Sequence, residues 1–199
     1  MISRGKKIVK LNFLFILLML LSSCGMKSCL DNRDYDWLVY TKGDSLFYES
    51  NLGSLDTVEI IRKHISFKGY SSLPDGFYNP EIAIINYSSS RNKDEKRFIE
   101  LNSQGWFEDS RLNINLYGES FSNGESFSYA SDKFIETNKT YNFGSKELKD
   151  IILIISGDTT RRGKSINKIW WSKSTGIIQY ESCEGELWKL EKWKKSNKK

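Results

Sequence analysis

Leu112-Asn113-Ile114-Asn115-Leu116-Tyr117 alternates apolar and polar side chains through three successive pairs. A period of two places Leu112, Ile114 and Leu116 on one face of an extended chain and the asparagines on the other, the pattern of a strand buried on one side. Ile151-Ile152-Leu153-Ile154-Ile155 predicts a second kind of strand, an unbroken, mostly β-branched run suited to cover on both faces and to a place in the core. Further short strands are predicted on either side of these two. Trp37 to Tyr40 and Ser45 to Tyr48 form a first hairpin around Thr41-Lys42-Gly43-Asp44, and Thr57 to Ile61 comes next, with Ile65 to Lys68 extending it or resuming after a bulge. Leu73-Pro74-Asp75-Gly76 reads as a turn. Glu81 to Tyr87 and Phe98 to Leu101 make a second hairpin across a polar loop, Ser88 to Lys96. Phe121 to Phe134 reads as a loosely turned edge strand, and Lys146 to Lys149 as one helical turn. Past the N-terminal segment no stretch sustains a 3.6-residue period, which disfavours a doubly wound α/β fold. The expected class is all-β, an antiparallel meander forming a sandwich or a partial barrel or calyx.

Composition narrows the function classes. The 199 residues are 39% hydrophobic and 28% charged, which excludes a disordered, collagenous or multi-span membrane chain. Aromatic residues make up 14% while Pro numbers only 2, so the turns depend on Gly, Asn, Asp and Ser. One His and three Cys are too few soft ligands for a zinc cage or an iron–sulfur cluster, so no metal or cofactor is expected. The formal net charge of +5 is concentrated at the two ends: Arg4, Lys6, Lys7 and Lys10 lie before the first cysteine, and Lys192, Lys194, Lys195, Lys198 and Lys199 close the chain. The body between is mildly acidic. It offers no basic stripe to displace counterions from phosphates, so nucleic acid is not an expected partner.

The N-terminus carries a positive segment and then Phe13-Leu14-Phe15-Ile16-Leu17-Leu18-Met19-Leu20-Leu21, too short for a permanent transmembrane helix and long enough for an export signal. Leu21-Ser22-Ser23-Cys24 then resembles the lipobox of bacterial lipoproteins with a type II signal peptide. The resemblance implies cleavage before Cys24, a diacylglyceryl thioether on its sulfur and a further acyl chain on its amine; several chains together anchor stably where one binds marginally. Gly25 comes next, not the Asp that tends to retain such proteins at the inner membrane, and no acidic cluster resembling a surface-export signal is present. An outer-membrane protein, anchored in the bilayer through acylated Cys24 and facing the periplasm, is therefore expected. The chain accordingly divides into a signal peptide at 1–23, a tether at 24–36, a single β-domain at 37–193 and a basic tail at 194–199.

Trp170-Trp171-Ser172-Lys173, Gly176-Ile177-Ile178-Gln179-Tyr180 and Gly185-Glu186-Leu187-Trp188 look like the closing β-meander of many small uncharacterised outer-membrane lipoproteins, a resemblance that implies architecture and no activity. Neighbouring Trp170 and Trp171 must point to opposite faces of their strand, so only one enters the core. Trp170, Trp171 and Trp188 are the candidate wall of an aromatic binding face, with packing as their alternative role.

Other motifs carry weaker chemistry. Gly157-Asp158-Thr159-Thr160-Arg161-Arg162-Gly163-Lys164-Ser165 ends like a phosphate-binding loop, but five residues separate its glycines and a strand is expected after it, so the stretch reads as a basic hairpin loop and no nucleotide is expected. His64 has no nucleophile elbow to serve, and no G-x-S-x-G surrounds any serine. Glu181, Glu184 and Glu186 are the candidate carboxylates of a hydrolase, the least favoured reading. Asp31, Asn32, Asp34 and Asp36 do not have calcium-loop spacing. Cys29 and Cys183 are a candidate disulfide, with free thiols as the alternative. Asp44-Ser45-Leu46, Asp56-Thr57-Val58 and Asp158-Thr159-Thr160 resemble a short O-glycosylation pattern, set against ordinary turn chemistry. The function expected is a non-enzymatic binding or structural module of the envelope. Its alternatives are a carrier of an apolar ligand in a half-open calyx and a protein partner such as an immunity or assembly factor.

Overall fold

A computed structural model describes residues 26–67, 78–103, 110–117, 119–122 and 132–196. The expected signal segment, Cys24, the expected turn at Leu73–Gly76 and most of the Phe121–Phe134 stretch lie outside these residues. The strands are β1 (Met26–Ser28), β2 (Ser45–Ser50), β3 (Leu55–Phe67), β4 (Tyr78–Ser89), β5 (Asn92–Asn102), β6 (Arg111–Leu116), β7 (Glu119–Ser122), β8 (Lys133–Glu136), β9 (Tyr141–Phe143), β10 (Lys146–Leu148), β11 (Ile151–Ile155), β12 (Ile166–Ser172), β13 (Gly176–Ser182) and β14 (Leu187–Lys194). The all-β, antiparallel expectation holds. The main sheet runs β7-β6-β5-β4-β3-β2-β14-β13-β12-β11-β8 and curls strongly into a half-barrel, while β9 and β10 make a separate hairpin. Every step along that order is antiparallel, and the last strand, β14, returns to insert between β13 and β2.

Alternation builds the interior. Leu112, Ile114 and Leu116 of β6 are all buried, as are Val58 and Ile60 of β3 and Leu46 and Tyr48 of β2. Ile151 to Ile155 is covered on both sides: Ile152 and Ile154 join the main core, and Ile151 joins a second cluster with Leu148 and Ile178 beneath the β9–β10 hairpin. Tyr40 and Tyr48 complete the backbone bonding of β13, where pairing with β14 covers only Gln179 to Glu181. The Ile177 amide donates to Tyr40 Oη at 2.6 Å, and Tyr48 Oη donates to the Ile177 carbonyl at 2.8 Å. Gly176 lies directly under the Tyr40 ring with φ +80°, a place where any side chain would collide with the phenol.

Several local expectations are corrected. Trp37 to Tyr40 is not a strand. Asp34 to Trp37 is a 3-10 turn, and the hairpin of this region is β2–β3. The Thr41–Asp44 turn persists because the Asp44 carboxylate accepts bonds from the Thr41 amide and hydroxyl. β3 is one strand with a bulge between Ile60 and Arg62. The polar stretch Ser88 to Lys96 is no loop: β4 and β5 run on to a tight turn at Ser90-Arg91, since ladder bonds need no apolar side chains. Lys146 to Leu148 is strand β10, not a helical turn.

The tether expected at 24–36 is docked from Met26 onward. β1 lies parallel to the first residues of β4, beyond the end of β5, where Ser103 Oγ bridges the Glu81 amide and the Ser28 carbonyl. Glu81 clamps the segment from Leu30 to Tyr35, accepting from the Leu30 amide through Oε2 and from Tyr35 Oη through Oε1, both at 2.9 Å. Leu30 is buried, and Ser103 Oγ donates to the Ser28 carbonyl. A polar segment with little apolar periodicity is held by hydrogen bonds to distant strands, partners that local sequence does not display. Among the described residues no helix is long and apolar enough to cross a membrane, which bears on helices alone.

Candidate functional site

Asp56 sits on the inward parity of β3 with Val58 and Ile60, opposite Tyr48 on β2, and is fully buried. Its carboxylate is satisfied by hydroxyls. Ser89 and Ser90 donate to Oδ1 at 2.6 and 3.0 Å, and Tyr117 donates to Oδ2. Tyr117 Oη is also 2.7 Å from Tyr180 Oη, and the Tyr180 ring stacks on Trp188 at 5.8 Å. Burial first, and then the neighbouring Asp56 charge, push the Tyr117 phenol up to about 12. Burial likewise raises Tyr48, Tyr87 and Tyr180 well above the ordinary value. These phenols therefore stay protonated and act as hydrogen-bond donors.

Two guanidinium groups complete the cluster. Arg97 lies 4.1 Å from the centre of the Tyr117 ring, and Arg91, at the exposed β4–β5 turn, lies 4.1 Å over Trp188 and 5.0 Å over Tyr117. Tyr117 has φ +54°, a left-handed conformation uncommon for a bulky residue, and it turns the chain from β6 toward β7. The cluster floors a cleft of about 300 Å³ lined by Arg91, Tyr117, Glu119, Lys164, Glu186 and Trp188 among others. Glu119 is ion-paired to the half-buried Arg161 at 3.1 Å, so Arg91, Lys164 and the carboxylate of Glu186 are the other charged groups of the lining. Chemically this is an aromatic floor already covered by a cation: Trp188 is buried between Tyr180 and Arg91, so the cleft offers the Arg91 guanidinium, backed by π faces and protonated hydroxyls. A second cleft of about 290 Å³ lies beside the β9–β10 hairpin, lined by Tyr141, Phe143, Lys189 and Glu191 among others. The void between Tyr40, Tyr48, Tyr87 and Tyr180 inside the sheet measures only about 10 Å³.

The three tryptophans separate. Trp171 is fully buried in the main core against Trp37 and Tyr40. Trp170 faces the other way and packs half-buried on Leu148, Ile151 and Ile178. Trp188 alone reaches the cleft. Cys29 is exposed and Cys183 half-buried, and the two are not bonded to one another in this structure. His64 is exposed on β3 opposite Ile84, eight residues and roughly 26 Å of strand from Asp56. Glu181 is bound to Lys168 at 2.8 Å, while Glu186 lines the cleft, so these carboxylates do not converge.

The 157–165 loop ties the two end strands of the sheet together. Asp132 accepts from the Gly157 amide and from Ser122 of β7, and Arg161 bonds the Ser120 carbonyl and stacks on Phe121. Strand β12 begins directly after it. Asp44 and Asp56 are buried acceptors, and Asp158 caps Thr160 in a turn that lowers the Asp158 pKa. Among the described residues no group of three or more His, Cys, Asp and Glu side chains is placed to hold a metal ion.

Sequence reasoning missed Asp56, Arg91 and Tyr117. One signal was available: an acid at the apolar parity of a strand, as in Asp56-x-Val58-x-Ile60, marks a buried carboxylate that must have partners. No known family, curated protein or solved structure matches the chain.

Proposed function

We propose that the chain is a lipid-anchored envelope lipoprotein of the outer membrane whose β-domain is a non-enzymatic binding module, with the Trp188–Tyr117–Arg91 cleft as its ligand site. The observation that carries this reading is Arg91 lying over two π faces at the mouth of a cleft large enough for a small polar molecule. Arg91 and Lys164, two cations against the one carboxylate of Glu186 once Glu119 is paired, favour an anionic ligand such as an acidic saccharide or a peptide carboxylate. Against an apolar carrier stands the filled interior, whose void has room for about one water and not for an acyl chain. Against a hydrolase stands the distance of His64 from the buried hydroxyls. A protein partner is the second reading, favoured by Leu52 and Leu55 exposed on the β2–β3 turn, which is hydrogen-bonded to Leu187 next to the cleft.

The test is thermal denaturation of the purified domain with acidic oligosaccharides and carboxylate-ended peptides, beside an Arg91→Ala/Lys164→Ala variant. A ligand at a hundred times its Kd stabilises by about 2.7 kcal/mol, so a clear rise in Tm is expected for the native protein and none for the variant. Equal Tm shifts in both proteins, or no shift with any ligand of this class, would discard the cleft as the site.

A further inference from the structure

β1 replaces the expected flexible tether, and this constrains how the domain meets a membrane. Met26 lies opposite Tyr78 and Ser28 opposite Pro80, while Phe67 lies opposite Glu81, so β1 and the end of β3 meet at the same end of β4. Only Gly25 separates Met26 from Cys24 in the chain, so this end of β4 is the one that the residue read as acylated adjoins in sequence. The same end of the sheet is apolar and basic. Ile65 and Phe67 share one face of β3 and remain 45% and 42% exposed, and the Lys27 ammonium lies 5.0 Å from the Phe67 ring centre. Such a group matches a lipid interface, with apolar side chains for the acyl boundary and a lysine for anionic headgroups.

The opposite end of the same strands holds the cleft. β4 runs from Tyr78, beside Met26, to Ser89, beside Asp56, and eleven residue steps of an extended strand span roughly 36 Å. The turn carrying Arg91 comes directly after it.

We propose that Lys27, Ile65 and Phe67 form a bilayer-contact face that holds the domain upright on the membrane, with the ligand cleft directed away from it. This rests on the reading of Cys24 as the acylated residue. A rigidly apposed domain presents its cleft to a partner standing off the membrane, and lipids of its own leaflet do not reach it.

The full chain, expressed with its export signal in a Gram-negative host, is given a photo-crosslinking phenylalanine analogue at position 65, 67 or 135. Ile135 on β8 is a control of matched exposure at 43%. Cells are irradiated, and lipid adducts on each position are counted by mass spectrometry. Acylation of Cys24 is measured separately by acyl-chain labelling against Cys24→Ala. Lipid adducts at 65 and 67 are expected roughly ten-fold above those at 135, and Phe67→Glu should reduce the yield at 65, as burying a charge in the interface is costly. Equal yields at all three positions on acylated protein would overturn the apposition while leaving the anchor intact. Absence of acyl label on Cys24 would overturn both, and the label distinguishes the two failures.

Discussion

At the scale of single residues, the least expected feature is a buried aspartate kept company by hydroxyls. Asp56 accepts from Ser89, Ser90 and Tyr117, which supplies the donors a desolvated carboxylate needs. The same arrangement sets the alkaline behaviour of the protein. The Tyr117 phenol titrates at about 12 in the folded chain against an ordinary value of 10.0. A raised folded pKa means that the neutral form is favoured on folding, so this stabilisation is complete below pH 10 and is lost as pH climbs toward 12. Titration monitored by tyrosinate absorbance and circular dichroism should show loss of fold in that window, with a smaller pH dependence in Tyr117→Phe. A variant that unfolds along the same curve would remove Tyr117 from the account. Arg91 and Tyr117 were invisible to pattern reading because a turn arginine and a strand-ending tyrosine are ordinary in sequence; only their distance from Trp188 and Asp56 makes them a site.

At the scale of elements, the paired tryptophans of β12 show both the power and the limit of strand parity. Alternation correctly separates Trp170 from Trp171, one to each face. A register shift between them, where Trp170 faces Gln179 and Trp171 faces Ile177, lets Trp171 settle fully into the core. Truncation should therefore be unequal. Trp171→Ala is expected to cost about 3–5 kcal/mol of stability and Trp170→Ala clearly less, read as urea midpoints with unchanged slope. Comparable losses would mean that the β9–β10 hairpin over Trp170 is as well packed as the main core. The docked N-terminal segment shows the complementary limit, because its order comes from Glu81 and Ser103, about fifty and seventy-five residues away in the chain.

At the scale of the whole molecule, the sheet curls until its edge strands approach without pairing, and side chains hold the seam. Arg161 is the central bolt: it pairs with Glu119, donates to the Ile166 and Ser120 carbonyls and lies 4.5 Å from the centre of the Phe121 ring. Replacing it by alanine would leave Glu119 and those carbonyls short of donors. A loss of about 2–3 kcal/mol is expected, with hydrogen exchange rising first in β7 and β8; exchange that rises uniformly would place the seam elsewhere. The same closure defines the cleft wall, since Glu119 and Lys164 come from the two segments that Arg161 ties together.

Sequence alone determined the class of fold, because side-chain period and the absence of long helical periodicity are local properties carried by each strand separately. It also determined which stretches form the core, as with Leu112 to Leu116 and Ile151 to Ile155. Tertiary structure alone decided the strand order, the return of β14 beside β2, the docking of the N-terminal segment and the meeting of Asp56, Arg91, Tyr117, Tyr180 and Trp188. Those contacts join residues tens of positions apart. Their existence depends on which strand pairs with which and in what register, and a period-two pattern is silent about the identity of its neighbour.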